Sequence, residues 1–189
     1  MKLNYDKEEI LRVIDNIVKK TMTMDLTWDW PCGVAYYGVT RAYKATGNKQ
    51  YLDMLKKWTE EYIELGLPDW TINTCAMGHM LITLYEETSE QNYWDIIMSK
   101  VDYIRNRAAR FGDKVLEHLD FPEQAWADTL FMAAFFLLRV GVKLKDEEMI
   151  NDALNQYYCH IKYLQNSSTS LWYHGYDNVK GSIKVSSNR

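Results

Sequence analysis

Tyr43-Lys44-Ala45-Thr46-Gly47-Asn48-Lys49-Gln50-Tyr51-Leu52-Asp53 returns 42 residues later as Tyr85-Glu86-Glu87-Thr88-Ser89-Glu90-Gln91-Asn92-Tyr93-Trp94-Asp95. Both copies keep Tyr-x-x-Thr, four residues, then Tyr-x-Asp. In both, the pattern falls where one helical periodicity stops and the next begins. A period near 40 residues built from two helices is a helical-hairpin repeat. Such a unit cannot bury its apolar face alone, so neighbouring hairpins must stack. Periodicity leaves two architectures open: an extended solenoid and a closed α/α toroid.

Outward from the repeat, helical spacing runs nearly throughout. Ile10, Val13, Ile14, Ile17 and Val18 mark a helix over Asp6–Lys20. Further helices are predicted over Gly33–Thr46, Lys49–Leu65, Cys75–Thr88, Gln91–Phe111, Pro122–Val140 and Asp146–Leu164. Gly112 and Gly141 read as helix stops. Asp120, with Glu123 three residues on, reads as a capping box opening the sixth helix. Leu171–His174 is the one strand candidate, which leaves no room for a sheet of three or more strands. The expected fold is all-α: an incomplete α/α toroid of about seven helices over residues 1–178, then an irregular tail over residues 179–189.

Composition narrows the function. The 189 residues carry net charge −4, so there is no basic excess to neutralise a nucleic-acid backbone. The longest apolar run, Leu130–Leu138, is far short of the roughly 20 residues a membrane span needs. The N-terminus reaches Asp6 without an apolar stretch, so no secretory signal is expected. Cys32, Cys75 and Cys159 are odd in number and widely spaced. They read as reduced thiols of a cytoplasmic protein. The histidines lack metal-ligand spacing, no GxSxG is present, and no glycine-rich phosphate loop follows a strand. Aromatic content stands out, with 14 Tyr and 7 Trp.

Five clusters at hairpin ends could carry chemistry. In the first, Trp28 and Trp30 flank Asp29; their rings can stack on the CH face of a sugar or cap a core. In Asp69–Thr74, Thr71 and Asn73 are natural helix caps or polar contacts. His118 follows Glu117 in a loop and is either a solvated residue or a ligand contact. In Phe121–Met132, the helical reading puts Asp128 two turns into a helix beside Phe131 and Met132. A carboxyl held against apolar groups has its pKa raised, which suits general acid–base work. A surface Asp near a helix N-terminus is the other reading. The fifth cluster is Trp172–Asp177, with His174.

The ordered set WDWPCGV, TINT, LEH, PEQAWADTLFM and WYHGYD resembles the unsaturated uronyl hydrolases. More narrowly it is similar to the unsaturated rhamnogalacturonyl hydrolases of glycoside hydrolase family 105, with family 88 as relative. The resemblance covers about residues 5–180. It implies a barrel of six helical hairpins and a short pectin-derived oligosaccharide substrate with a 4,5-unsaturated uronic acid at its non-reducing end. It also implies that neither metal nor cofactor takes part. Asp128 matches the general acid/base. Gln124 and Trp126 share its motif, and Trp30, Asn73, His118 and His174 match substrate contacts. Thr71 departs from the pattern where many members carry a second Asp, and Asp69 stands two residues earlier. Seven helices against twelve is a larger departure. It makes a second copy, or a complementing C-terminal half, an expected partner. It also keeps open a different function, that of an inactive helical-repeat fragment which binds a partner.

Overall fold

The computed structural model describes residues 6–119 and 121–184. Seven α-helices dominate them: α1 (Lys7–Met22), α2 (Trp30–Thr46), α3 (Lys49–Leu65), α4 (Gly78–Thr88), α5 (Gln91–Asp102), α6 (Phe136–Leu144) and α7 (Glu147–Leu164). Consecutive helices pair as hairpins α2–α3, α4–α5 and α6–α7, and α4 touches both α2 and α6. Thus α2, α4 and α6 form an inner layer. In α4 every residue from Gly78 to Leu84 is buried.

The repeat has a physical basis at each turn. Thr46 Oγ1 donates to the Ala42 carbonyl and accepts from the Asn48 N–H. Thr88 Oγ1 does the same with Leu84 and Glu90. The residue after each Thr, Gly47 or Ser89, takes the left-handed conformation that ends the helix. Tyr51 and Tyr93 are buried and anchor the helices that follow.

Four sequence readings need correction around the loops. The fifth helix does not reach Phe111; it ends in a π-helical turn, Tyr103–Arg107. Arg110–Phe111 (β1) then pairs with Val115–Leu116 (β2) across Gly112. The sixth helix does not begin at Pro122. Gln124–Trp126 is a strand (β3), and helical structure starts at Asp128 with a π-helical segment over Leu130–Phe135. The expected capping box therefore fails: the Glu123 carboxylate accepts from Asn178 Nδ2 instead. Its partner Asp120 lies outside the described residues. Gly141 does not stop α6, which runs on to Leu144. A Cβ there would stand 3.1–3.2 Å from Ile150 and Met149, so this glycine lets α6 and α7 approach.

The exclusion of a three-stranded sheet does not hold either. β3 pairs antiparallel with Gly175–Asp177 (β4), and β4 with Ser182–Lys184 (β5), inside the stretch expected to be an irregular tail. The strand candidate Leu171–His174 forms no strand of its own; Trp172 bridges to Gln165, and the His174 carbonyl accepts from the Ala127 N–H. These three-residue strands sit beside the helical array. They cover a small second core of Phe111, Val115, Ala125, Cys159 and Leu164.

Candidate active site

The site is assembled by the register of β3 on β4. Gln124 faces Asp177, Ala125 faces Tyr176 and Trp126 faces Gly175. The ladder continues one step, with the Ala127 N–H donating to the His174 carbonyl at 2.9 Å. Asp128 then leaves the strand into the first helical turn. Its Oδ2 lies within hydrogen-bond distance of His174 Nε2, at 2.7 Å. Asp128 is thus in the first turn of its helix, not two turns in, and its relevant neighbour comes from the chain's far end.

Trp126 wedges beside this pair. Its ring stands edge-on to His174 at 4.9 Å and tilted to His118 at 5.7 Å. Its Nε1 donates to Gln124 Oε1, and Gln124 Nε2 donates to the carboxylate of buried Asp177. That chain of two hydrogen bonds fixes the indole. His118 is buried, not solvated, with Nδ1 3.0 Å from Thr129 Oγ1. Burial lowers its pKa, and the nearby Asp128 charge opposes that shift.

Behind Asp128, the π-helical segment is tied to the inner layer. Arg139 donates to Nδ1 of fully buried His79, so the proton sits on Nε2 and is donated to the Phe131 carbonyl at 2.9 Å. Burial drops His79 to about 4, keeping it neutral. π-Helical turns leave backbone groups in need of such partners and recur at functional sites.

Trp30, Asn73, His118, Trp126, Asp128 and His174 line one cavity of about 330 Å³, together with Leu119, Phe121 and Met132. Gln124 stands behind it, bonded to Trp126. The two tryptophans around Asp29 divide their roles. Trp28 is buried and stacks on Trp58 at 5.7 Å, whereas Trp30 is 45% exposed in the cavity. Of the two cap candidates, Thr71 Oγ1 accepts from the Thr74 N–H, while Asn73 caps nothing. Asn73 Oδ1 is buried without a partner. Asp69 and Asp29 line a neighbouring cleft that shares Asn73 and Leu119 with the cavity. Sequence reasoning missed Leu119, Phe121 and Met132 as lining. Met132 was legible as the residue one helical turn after Asp128; Leu119 carried no signal.

An inner layer of helices, hairpins stacked on it, and an acid–imidazole pair at the loop ends define a protein of the α/α-barrel class. The chain belongs to Glycosyl Hydrolase Family 88, whose family model matches residues 5–188. It is 44% identical over 182 residues to the unsaturated rhamnogalacturonyl hydrolase YesR of Bacillus subtilis (strain 168), covering 93% of this chain and 53% of the relative. A family 105 glycoside hydrolase of C. acetobutylicum ATCC 824 superposes with TM-score 0.81 at 27% identity, over 93% of this chain and 50% of that one. A possible family 105 member from Klebsiella pneumoniae superposes with TM-score 0.89 at 22% identity, over 96% and 54%. The chain therefore spans about half the length of the relatives it matches.

Proposed function

We propose that this chain carries the acid–base end of a hydrolase for oligosaccharides bearing a 4,5-unsaturated uronic acid at the non-reducing end. The single observation that carries the reading is Asp128 paired with His174 in a cavity walled by Trp30, Trp126 and Asn73. The 44% identity to an unsaturated rhamnogalacturonyl hydrolase supports the substrate class.

In this mechanism Asp128 gives its proton to C4 of the double bond. A water loses a proton to the carboxylate and its oxygen bonds to C5. The hemiketal formed opens to a C5 ketone, leaving the ring oxygen as the hydroxyl of a C1 hemiacetal, which collapses to an aldehyde as the glycosidic bond breaks and the next sugar leaves with a free hydroxyl. His174 holds the Asp128 carboxyl in place, and the indole faces of Trp30 and Trp126 pack on sugar CH groups. His118 and Asn73 hydrogen-bond hydroxyls, and Gln124 steadies Trp126. The reaction needs neither metal nor cofactor. The test is loss of the conjugated C=C–COOH absorbance on incubation with an unsaturated disaccharide, abolished in Asp128→Asn.

One observation favours a partner. Val13 and Ile17 on α1 are 48% and 60% exposed, and Tyr158 on α7 is 71% exposed. Apolar edges at the two ends of a half-length array fit a complementing half, or a second copy, packed against them. A chain inert alone and inert with any such partner would be the inactive, partner-binding fragment instead. Three free, buried cysteines fit a cytoplasmic location. Among the described residues no helix is long and apolar enough to cross a membrane.

A further inference from the structure

Lys100, near the end of α5, is completely buried. Its Nζ donates to the Thr74 carbonyl at 2.9 Å and stands 3.9 Å from the centre of the Trp70 ring. The Trp28 ring lies farther off, at 5.9 Å. Trp70 is itself clamped, its Nε1 donating to Ser99 Oγ at 2.6 Å. Among the described residues no carboxylate faces the ammonium; the titratable group beside it is the Cys75 thiol. A buried cation without a counter-ion is among the costliest groups a fold can carry. Methionine would fill the same volume without that cost, so packing alone does not account for a lysine here.

The segment that the ammonium holds matters for the cavity. Asn73–Met77 is a single 3₁₀ turn, buried throughout, and its first residue, Asn73, is part of the cavity wall. The Thr74 carbonyl is one residue further on. A hydrogen bond from a charged donor is about twice as strong as a neutral one and short-ranged. The Thr74–Cys75 peptide, one residue on from Asn73 in the same turn, is thereby fixed, while the Asn73 side chain keeps its Oδ1 without a partner.

We propose that Lys100 is a positioning residue: its protonated ammonium, seated on Trp70 and bonded to Thr74, holds Asn73 in the geometry that binds the sugar. The sugar part of this inference rests on the functional reading above. Burial brings Lys100 down to about 8, while the Cys75 thiol is pushed up to about 11 and stays neutral in that range. Substrate binding therefore weakens just above neutral pH. The neutral amine still donates to Thr74 but loses the charge assistance and the attraction to the Trp70 ring, so apparent KM is expected to rise through the transition to a higher plateau while kcat holds.

The test follows the Asn73 side-chain amide and the Lys100 ε-nitrogen by NMR between pH 6.5 and 10, in the wild type and in Lys100→Met. Both wild-type signals are expected to move together with a midpoint near 8, and the Asn73 signal to stay flat in Lys100→Met. An Asn73 amide that ignores the Lys100 titration, or moves equally in the variant, overturns the proposal. If Lys100→Met does not fold, agreement or disagreement of the two wild-type midpoints decides alone. With an unsaturated uronyl disaccharide, a KM flat across the transition overturns the link to binding, and Lys100→Arg should give a KM that no longer rises. Absence of turnover at every pH with the complementing half supplied would count against the functional reading, and the NMR coupling would still decide whether Lys100 positions Asn73.

Discussion

Nε2 of His174 and Oδ2 of Asp128 stand 2.7 Å apart, from positions 46 residues apart in the chain. The pairing depends on β-strand register, since the last rung before it is Ala127 N–H to His174 O. A carboxyl and an imidazole sharing one proton can both give and take it within a turnover. Asp128→Asn keeps the side-chain shape and can still bond the imidazole, but cannot transfer the proton. Turnover of the unsaturated disaccharide is expected to fall by about 10²–10⁴-fold, with the circular dichroism and melting curve unchanged. Full activity in Asp128→Asn would remove Asp128 from the mechanism.

Trp126 is held by Gln124, which is held by Asp177. Gln124→Leu keeps volume while cutting both hydrogen bonds. It should raise KM several-fold and lower stability by about 1–2 kcal/mol, the cost of unpaired groups in a partly buried network. Trp126→Phe should reproduce the KM effect. A KM unchanged in both would show that the indole does not meet the sugar.

Gly33 tests how α2 supports the cavity. A Cβ there would come within 2.5–2.7 Å of the Ala76 side chain and backbone and 2.9 Å of the Met77 nitrogen, inside the turn that begins with Asn73. Backbone cannot swing aside as a long side chain can. Gly33→Ala is therefore expected to cost about 1–3 kcal/mol by overpacking, measured by urea denaturation. A variant as stable as the wild type would mean that α2 and the turn are looser than they stand here.

The helical hairpins were legible because their signals are local. Thr46 and Thr88 bond across their own turns, and Tyr51 and Tyr93 anchor the next helix. The gathering of the candidate residues was legible too, since six of the seven line one cavity and the seventh braces it. What local pattern hid was the reason they meet. Gln124–Trp126 sits just before a helix and carries apolar spacing that continues it, yet tertiary pairing with Gly175–Asp177 makes it a strand. A partner about 50 residues away leaves no mark in a short window of sequence. Gly141 misled for the same reason: a close helix–helix approach and a helix stop both ask for glycine.

Two histidines set the acid limit. His79 and His160 are fully buried and both are lowered to about 4. In the unfolded chain they take up protons near 6.5, so between pH 6.5 and 4 the unfolded state binds more protons than the folded one. Their stabilisation is complete above pH 6.5 and is lost as pH falls through 4. Each contributes about 3 kcal/mol to that loss. Denaturation measured from pH 7 to 4 should show stability falling over this window. His160→Leu should lose less than the wild type by about one proton's worth. An identical slope in the variant would show that His160 takes up its proton in the fold as readily as in the unfolded chain.

Among the described residues the cavity lining contains no lysine or arginine. A uronate carboxylate placed there meets His118, which burial keeps largely neutral, and His174, already engaged with Asp128. Binding energy from groups away from the reacting centre is what positions it. The isolated 189 residues are therefore expected to fade the chromophore weakly or not at all. Adding, as a separate polypeptide, the half of the Bacillus relative that this chain does not match should raise the rate at least tenfold. Its docking surface would be the apolar edges bearing Val13, Ile17 and Tyr158. Ile17→Lys together with Tyr158→Lys should abolish the gain and the complex seen by light scattering, leaving the fold intact, because both side chains already face solvent. Strong turnover by the isolated chain, unaffected by either addition or substitution, would show that this half holds and converts its substrate unaided.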